Sequence, residues 1–316
     1  MKPTPQVLRR LALLLGATTL CVSVWAQNQA TLTPIGQWPE YPLLATPLAM
    51  KVAPPYAYLA GLASPPAPGQ QMATLRLLTL DVSTPSQPRY LGHVDAATGL
   101  EGWSYTSIQV QGGFAYVLLG INEESSSATL AIFNIGQPAV PRLVGSCVGT
   151  WSQYGAGGGN GIAVAGNHVY VAAGRPGIGV IDVSDPAHPV VKPTAPAGMV
   201  ATFTVSVSGN YLYASGGAGQ WGGPTWAHVS VLDLSNPTRP PVVGGVDAPA
   251  GSDWPVVAAH GALLHLAYSG MKADPHVVGG YQVFDLSDPV NPSPLGLCEL
   301  TVGEIPTTIR VAGNVA

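Results

Sequence analysis

The sequence predicts an all-β protein, a β-propeller of four-stranded antiparallel blades, from three observations. A phrase made of an apolar run, Asp or Asn, and two Pro residues recurs five times, at spacings of 48 to 53 residues. Each copy follows two apolar, strand-like segments that a short turn separates. Beyond the N-terminus, no apolar period of helical type lasts longer than a turn or two. A recurring unit of about 50 residues built from short strands is typical of propellers, whose blades bury their apolar faces against one another.

The recurring phrase predicts the third and fourth strands of each blade, strands c and d, and the turn between them. Its five copies read LLTLDVSTPSQP, LAIFNIGQPAVP, IGVIDVSDPAHP, VSVLDLSNPTRP and YQVFDLSDPVNP, anchored at Asp81, Asn134, Asp182, Asp233 and Asp285. Asp and Asn side chains cap turns by accepting hydrogen bonds from nearby backbone N–H groups. Because carboxylates on separate blades do not converge on one ion, we expect the anchors to cap their turns and not to bind calcium or catalyse a reaction.

Upstream of each phrase, a hairpin predicts the first two strands, a and b. The five segments read VAPPYAYLAG, VQGGFAYVLLG, VAGNHVYVAAG, VSGNYLYASGG and AAHGALLHLAYSG. Gly-Asn and similar pairs are tight hairpin turns because their central residues adopt positive φ. We expect the a strands of residues 106–111, 161–165, 202–208 and 255–259 to line a central channel.

The repeats resemble a known family. The segments LLTLD, LAIFN, IGVID, VSVLD and YQVFD, each followed by the Pro-containing turn, look like the LVIVD repeats of bacterial and archaeal extracytoplasmic proteins, which are predicted to form β-propellers. The second copy departs from the pattern with Asn134 and Gly136, and the third has Pro193 where the others have Gly. Both changes are compatible with a turn. The resemblance covers nearly all of the chain after its leader, and it implies no reaction, cofactor or catalytic residue.

The two ends of the chain carry further predictions. Residues 1–26 combine Lys2, Arg9 and Arg10 with an apolar stretch and a small-residue cleavage pattern at Ala26, which indicates a secretory signal peptide. Residues 27–316 form the propeller. Residues 303–316 match the start of a blade and stop just after its hairpin, and residues 31–37 resemble a lone strand d. We therefore expect five complete blades and a split or truncated sixth, in which 31–37 pair with 305–311.

Charge and cysteine content narrow the possible partners. The net charge is −4, and removal of the three basic leader residues makes it −7, which argues against nucleic acid and anionic membranes as partners. Cys147 and Cys298 occupy equivalent places in strand d of the second and fifth blades. Blades three steps apart are too distant for a disulfide, so we interpret both as small buried apolar residues.

The connections between strands b and c, and between strand d and the next strand a, share one rim and break the repetition. Five of the six tryptophans after the leader lie there, among carboxylates. Aromatic faces beside carboxylates suit sugars, peptides and cationic ligands. The alternative is that these rings pack as wedges between blades. The candidate ligand-binding residues are Glu101, Trp103, Tyr105, Trp151, Tyr154, Trp221, Trp226, Asp253, Trp254 and Glu304.

The sequence thus favours an exported, monomeric propeller that binds a protein, peptide or glycan in the periplasm, at the cell surface or outside the cell. We expect no catalytic residue, metal or cofactor. One alternative is a propeller hydrolase or lyase that uses Asp253, Glu304 or Glu101 as acid and base. The other is a structural module of a longer surface protein.

Overall fold

The computed structural model describes residues 44, 46–63, 72–101, 103–121, 127–150, 161–175, 177–219, 225–249, 252–270, 279–300 and 309. Every regular element in these ranges is a β-strand, as the repeat predicts. None of the described segments is a helix that could cross a membrane.

Within the described ranges, twenty strands form five four-stranded sheets, each made of four consecutive antiparallel strands. Sheet 1 contains β1 (Thr46–Ala53), β2 (Tyr56–Leu62), β3 (Met72–Asp81) and β4 (Arg89–Glu101). Sheet 2 contains β5 (Trp103–Gln111), β6 (Phe114–Ile121), β7 (Ser127–Asn134) and β8 (Arg142–Thr150). Sheet 3 contains β9 (Ile162–Ala165), β10 (His168–Ala172), β11 (Ile178–Asp182) and β12 (Val190–Ala195). Sheet 4 contains β13 (Ala201–Ser208), β14 (Tyr211–Gly219), β15 (Thr225–Asp233) and β16 (Val242–Asp247). Sheet 5 contains β17 (Ser252–His260), β18 (Leu263–Gly270), β19 (Gly280–Asp285) and β20 (Ser293–Glu299).

The apolar core lies in layers between consecutive sheets. One buried cluster joins sheets 1 and 2, and equivalent clusters join sheets 2 and 3, 3 and 4, and 4 and 5. A further cluster packs Ile309 against Val256, Ala258 and Ala267 of sheet 5. Sheets 2, 3 and 4 therefore bury both faces by contact with their neighbours, which is how propeller blades are stabilised.

The first strand of each sheet lies innermost. β1 contacts β5, β5 contacts β9, β9 contacts β13, and β13 contacts β17. These five strands and Ile309 surround one cavity of about 220 Å³. The predicted a strands thus coincide with β5, β9, β13 and β17, and residues of all four line this cavity. The predicted pairing of residues 31–37 with 305–311 lies outside the described residues.

The turns after strand c and the hairpins between strands a and b meet on one rim. In every sheet, the N–H group of the residue after the anchor donates to a carbonyl in the hairpin, for example Val183 to Asn167 at 2.8 Å and Leu234 to Asn210 at 2.9 Å. The hairpin turn itself needs positive φ, which Gly166 supplies at 55°. The bond from the residue after the anchor to the hairpin is therefore repeated in all five sheets, while the turn of sheet 1 is formed by Pro54 and Pro55 without a positive φ.

The five anchors cap their turns, as the sequence predicts. The anchor's side-chain oxygen accepts a hydrogen bond from the N–H group two residues on, at 2.8 to 3.0 Å, in Asp81, Asn134, Asp182, Asp233 and Asp285 alike. Within the described ranges, no three His, Cys, Asp or Glu residues lie together in a way that could hold a metal ion.

The two cysteines lie in strand d of sheets 2 and 5, as predicted, and both are free thiols. The prediction that they are buried is wrong, because both are only half-buried. Strand d is the outermost strand of its sheet, and one of its faces stays in contact with solvent. Cys147 still packs against the cluster between sheets 2 and 3, and burial raises the pKa of its thiol to about 11.

Candidate functional site

The candidate residues whose backbone is described lie at the ends of strands opposite the hairpin rim. Glu101 ends β4 opposite Met72, Trp103 begins β5 opposite Ile121, and Asp253 pairs with Ser269 near the start of β17. Tyr105 follows in β5, and the side chains of Trp226 and Trp254 are described in full. The remaining candidates, Trp151, Tyr154, Trp221 and Glu304, lie outside the described residues.

Trp254 has an unusual backbone and an exposed ring. Its φ of 47° is the only positive value among the described residues other than glycine. A bulky side chain in this region costs about 1–3 kcal/mol, and such strain persists only where surrounding contacts impose it. The side chain is 52% exposed, and one face stacks on Phe203 of sheet 4, with ring centroids 5.3 Å apart and an interplanar angle of 21°.

A buried hydrogen-bond chain holds the backbone just after Trp254. The N–H group of Val257 donates to Oγ1 of Thr204 at 3.0 Å, and Oγ1 of Thr204 lies 2.6 Å from Oγ of Ser215. Ser215 Oγ donates to the carbonyl of Pro255 at 2.9 Å. Because each hydroxyl has one proton, Thr204 donates to Ser215 and accepts from Val257. Two backbone groups close to Trp254 are thereby fixed to the interior of sheet 4.

Trp226 is held differently, by a carboxylate on the neighbouring strand. Its Nε1 donates to Oδ1 of Asp247 at 2.8 Å, and Nδ1 of His228 lies 2.6 Å from the same oxygen. The Trp226 side chain is 37% exposed. Its polar edge is therefore occupied within the protein, while part of the ring contacts solvent.

Sequence reasoning missed Phe203, Thr204, Ser215, His228 and Asp247 as parts of this rim. One signal was present for His228, because it lies two residues after Trp226 on a strand and therefore on the same face. For the others there was none, because Phe203 and Trp254 meet only when sheets 4 and 5 pack together.

His265 lies away from the rim, in the column that Tyr58, Tyr116, Tyr170 and Tyr213 fill in the other sheets. Each of these residues pairs with the equivalent position in the first strand of its own sheet. His265 is buried, and its Nδ1 lies 2.6 Å from the hydroxyl of Tyr281. Burial lowers the pKa of its imidazole. His265 therefore occupies a repeat position in the interior of its sheet.

Comparison with protein families finds the LVIVD repeat three times, at residues 104–148, 156–194 and 201–248. These matches coincide with sheets 2, 3 and 4. Comparison with curated proteins finds no match. Among solved structures, the apo form of prolyl oligopeptidase B from Galerina marginata aligns with 80% of this chain at 13% identity and a TM-score of 0.43. The alignment covers 33% of that protein, so this chain spans about a third of its length.

Proposed function

We propose that this chain, which contains three LVIVD repeats, is an extracytoplasmic β-propeller scaffold that binds a protein, peptide or glycan on the rim that carries Trp254. Its leader-like N-terminus supports export, and its low content of charged residues fits a scaffold of tight turns over packed sheets. It acts as a monomer.

The conformation of Trp254 carries this proposal. A ring that served only as a wedge between sheets would be buried on both faces, whereas that of Trp254 stacks on Phe203 and leaves half of its surface in solvent. Hydrogen bonds to the carbonyl of Pro255 and from the N–H group of Val257 fix the backbone next to this residue, whose φ is 47°. An aromatic face held rigidly in solvent binds sugar rings, peptide planes and cations with little loss of side-chain entropy on binding.

We also propose that the ring contains a split sixth blade. In each inner strand, the residue just before the one that pairs with the Tyr or His column is apolar and points towards the preceding sheet. This residue is buried in β5, β9, β13 and β17. Ile309 is 7% exposed on sheet 5, which supports a sixth inner strand at that point. Met50 is the corresponding residue of β1 and is 56% exposed. The free apolar face around Met50 is where the sixth sheet packs.

The test of binding is substitution of Trp254 by Gly. Glycine adopts positive φ without strain, so W254G removes the ring and relieves the backbone at the same position. The probe is a glycan or peptide selected from a library on the wild-type protein. We expect W254G to lose most of its affinity for the probe while Tm stays the same or rises.

Trp254→Phe is the matched control, because it keeps an aromatic face and should keep most of the affinity. A different result contradicts the proposal. If W254G binds the probe as the wild type does, or loses the ~3–5 kcal/mol of stability typical of removing a core aromatic ring, Trp254 is a wedge and not a binding residue.

A further inference from the structure

Hydroxyl groups of sheet 4 satisfy the free backbone edge of sheet 5. The first strand of a sheet has no partner strand on its inner side, so every second N–H group of β17 points away from its sheet. Oγ1 of Thr204 accepts the N–H group of Val257 at 3.0 Å. Oγ of Ser206 accepts the N–H group of Ala259 at 2.9 Å. Two side chains of β13 therefore take the place of a neighbouring strand for β17.

Val205 and Val207 hold the corresponding edge positions in β13, one repeat earlier. Both flank Ser206, which pairs with the Tyr or His column of strand b as Ala258 does in β17. Hydrogen-bonded and non-bonded pairs alternate along an antiparallel ladder, and the pair that closes a two-residue hairpin is hydrogen-bonded. Because Ser208 belongs to that closing pair, the backbone groups of Val205 and Val207 point away from β14 and towards the free edge.

The strand that precedes this edge, β9, has no hydroxyl group at the same positions. Ala163 stands where β13 carries Ser206, and Gly161 stands two residues before it. Among the residues that the structure describes, none accepts a hydrogen bond from the N–H group of Val205 or Val207. Buried backbone N–H groups almost always have an acceptor in the protein, in water or in a ligand. The edge of sheet 4 therefore calls for acceptor atoms that β9 does not supply.

This edge borders the cavity between the inner strands, which we call the axial cavity. Val205 and Val207 both line it, and its volume is about 220 Å³. Water takes about 30 Å³ per molecule in the liquid, so the cavity has room for several waters or for one small organic molecule. Ile108 and Ile309 form apolar parts of its wall and are almost fully buried. A hydrocarbon ring covers these side chains and gains from the removal of apolar surface from water, whereas a group of waters does not.

The edge of a strand selects the polar groups of such a ligand. Each edge residue presents a carbonyl as well as an N–H group, so the edge offers acceptors and donors together. A hydroxyl group can accept from one and donate to the other, whereas a carboxylate can only accept and an ammonium group can only donate. Val205 and Val207 are two positions apart, which separates their N–H groups by about 7 Å. The site therefore suits a neutral compound with hydroxyl groups on opposite sides of a ring.

We propose that the axial cavity binds a small neutral ring compound that carries hydroxyl groups on opposite carbons, as cyclic polyols and monosaccharides do. Its hydroxyl groups accept from Val205 and Val207, as the hydroxyls of Thr204 and Ser206 accept from the edge of sheet 5. Its ring lies against the apolar part of the wall. This site is separate from the rim that carries Trp254, because Trp254 and Phe203 are not among the residues that line the cavity.

The test uses trans-1,4-cyclohexanediol as the probe and cyclohexanol as a ring of the same size with one hydroxyl group. Backbone amide resonances are followed by NMR during titration, and amide hydrogen exchange is measured with and without the probe. The diol should shift the amide resonances of Val205 and Val207 and slow their exchange. The amide of Val257, which is already bonded to Thr204, should change little. Cyclohexanol leaves one N–H group without an acceptor and should bind about tenfold more weakly.

Ala163→Ser supplies the hydroxyl group that β9 lacks. At this position it should accept from Val207, as Ser206 accepts from Ala259 in the next sheet. It should therefore slow exchange of the Val207 amide without any ligand and lower the affinity for the diol about tenfold. Ala258→Ser is the matched control, because it adds the same atom to another wall of the cavity, away from this edge, and should keep the wild-type affinity.

Three results overturn the proposal. If the diol shifts neither the Val205 nor the Val207 amide in the wild type, these N–H groups bind water only. If cyclohexanol binds as tightly as the diol, the two N–H groups do not select the ligand. If a folded Ala163→Ser variant keeps the wild-type affinity, the ligand does not bind at the edge of β13. None of these results bears on Trp254, which is tested with other variants and another probe.

Discussion

Thr204 and Ser215 share a hydrogen bond of 2.6 Å between their hydroxyl oxygens in the interior of sheet 4, behind the backbone that follows Trp254. The pair accepts a hydrogen bond from the N–H group of Val257 and donates one to the carbonyl of Pro255. Two buried side chains of sheet 4 therefore fix backbone groups next to the exposed ring of Trp254 in sheet 5.

Substitution of Thr204 by Val should destabilise the protein. The change preserves the shape of the side chain, but it leaves the buried N–H group of Val257 without an acceptor, which costs about 1–3 kcal/mol. Urea unfolding measures the loss, and Thr150→Val on the exposed face of β8 serves as the control. Equal stability of the two variants would show that the hydroxyl chain does not hold the backbone near Trp254.

The anchor carboxylates should make the protein sensitive to acid. Hydrogen bonds from Ser83 and the guanidinium of Arg89 lower the pKa of Asp81 to about 2, and the Ser184 and Ser287 hydroxyls lower the pKa values of Asp182 and Asp285. A carboxyl group whose pKa is lower in the folded state stabilises the protein above the unfolded value of about 3.9. That contribution is lost as pH falls from there towards the folded pKa.

Replacing Asp81, Asp182 and Asp285 by Asn should therefore flatten the fall in unfolding free energy between pH 4 and pH 2. The turns themselves should persist, because Asn134 already makes the same bond to Gly136 at 2.9 Å. Stability is measured by chemical denaturation across this pH range. An unchanged slope in the triple variant would mean that other groups cause the acid sensitivity.

Ile309 should matter for stability although it lies near the last residue of the sequence. It packs on Val256, Ala258 and Ala267, so Ile309→Ala should cost about 2–5 kcal/mol, as for other buried aliphatic residues. Leu295→Ala, at an exposed position of β20, should have little effect. A neutral Ile309→Ala variant would remove the evidence for a sixth inner strand.

Substitution of Met50 provides a second test of the proposed sixth sheet, because Met50 lies on the face of β1 against which that sheet would pack. If the sixth sheet packs on β1, Met50→Asp places a carboxylate in an apolar interface and lowers Tm. Val148→Asp, at an exposed position of β8, is the matched control and should leave Tm unchanged. If the two variants have the same Tm, the face of β1 remains in solvent and the proposed sixth sheet does not pack on it.

Cys147 should react slowly with alkylating agents in the folded protein. Only the thiolate is nucleophilic, and burial raises the pKa of this thiol to about 11, against about 8.5 for a solvated cysteine. Mass spectrometry after brief exposure to iodoacetamide at pH 8 should find Cys147 largely unmodified in native protein and modified in urea. Rapid modification in native protein would show that strand d of sheet 2 opens readily.

Much of the fold could be predicted from the sequence because the same turn-forming residues recur at the same places in all five repeats. An anchor such as Asp182, with Pro residues after it, specifies a turn through contacts within a few residues. The hairpin at Gly166 is equally local. The positions of the inner strands follow from this turn and this hairpin, because the segment before each hairpin must be strand a.

From the sequence, the candidate site could be placed on one rim of the fold, but the contacts and conformations of its residues could not be predicted. The positive φ of Trp254 has no sequence signal, because Trp is a residue type that avoids this conformation, and the contacts that hold the backbone next to it come from Thr204 and Ser215 some forty to fifty positions earlier. The half-burial of Cys147 was missed for a related reason. Its exposure depends on which edge of the sheet faces solvent, and a strand's own residues do not specify that.

The turn bonds on the hairpin rim have a consequence for how such a chain changes over time. The cap at Asp182 and the bond from Val183 to Asn167 both lie within a single repeat. A gene duplication or deletion of one repeat would therefore add or remove a unit that brings its own turns. The contacts to its two neighbours would have to adapt, both the apolar layers and the hydrogen bonds that cross the hairpin rim, such as those from Gln111 to Gly166 and from Ser208 to Gly261. The stack of Trp254 on Phe203 also crosses from one repeat to the next, and recombination at that boundary would separate the two rings.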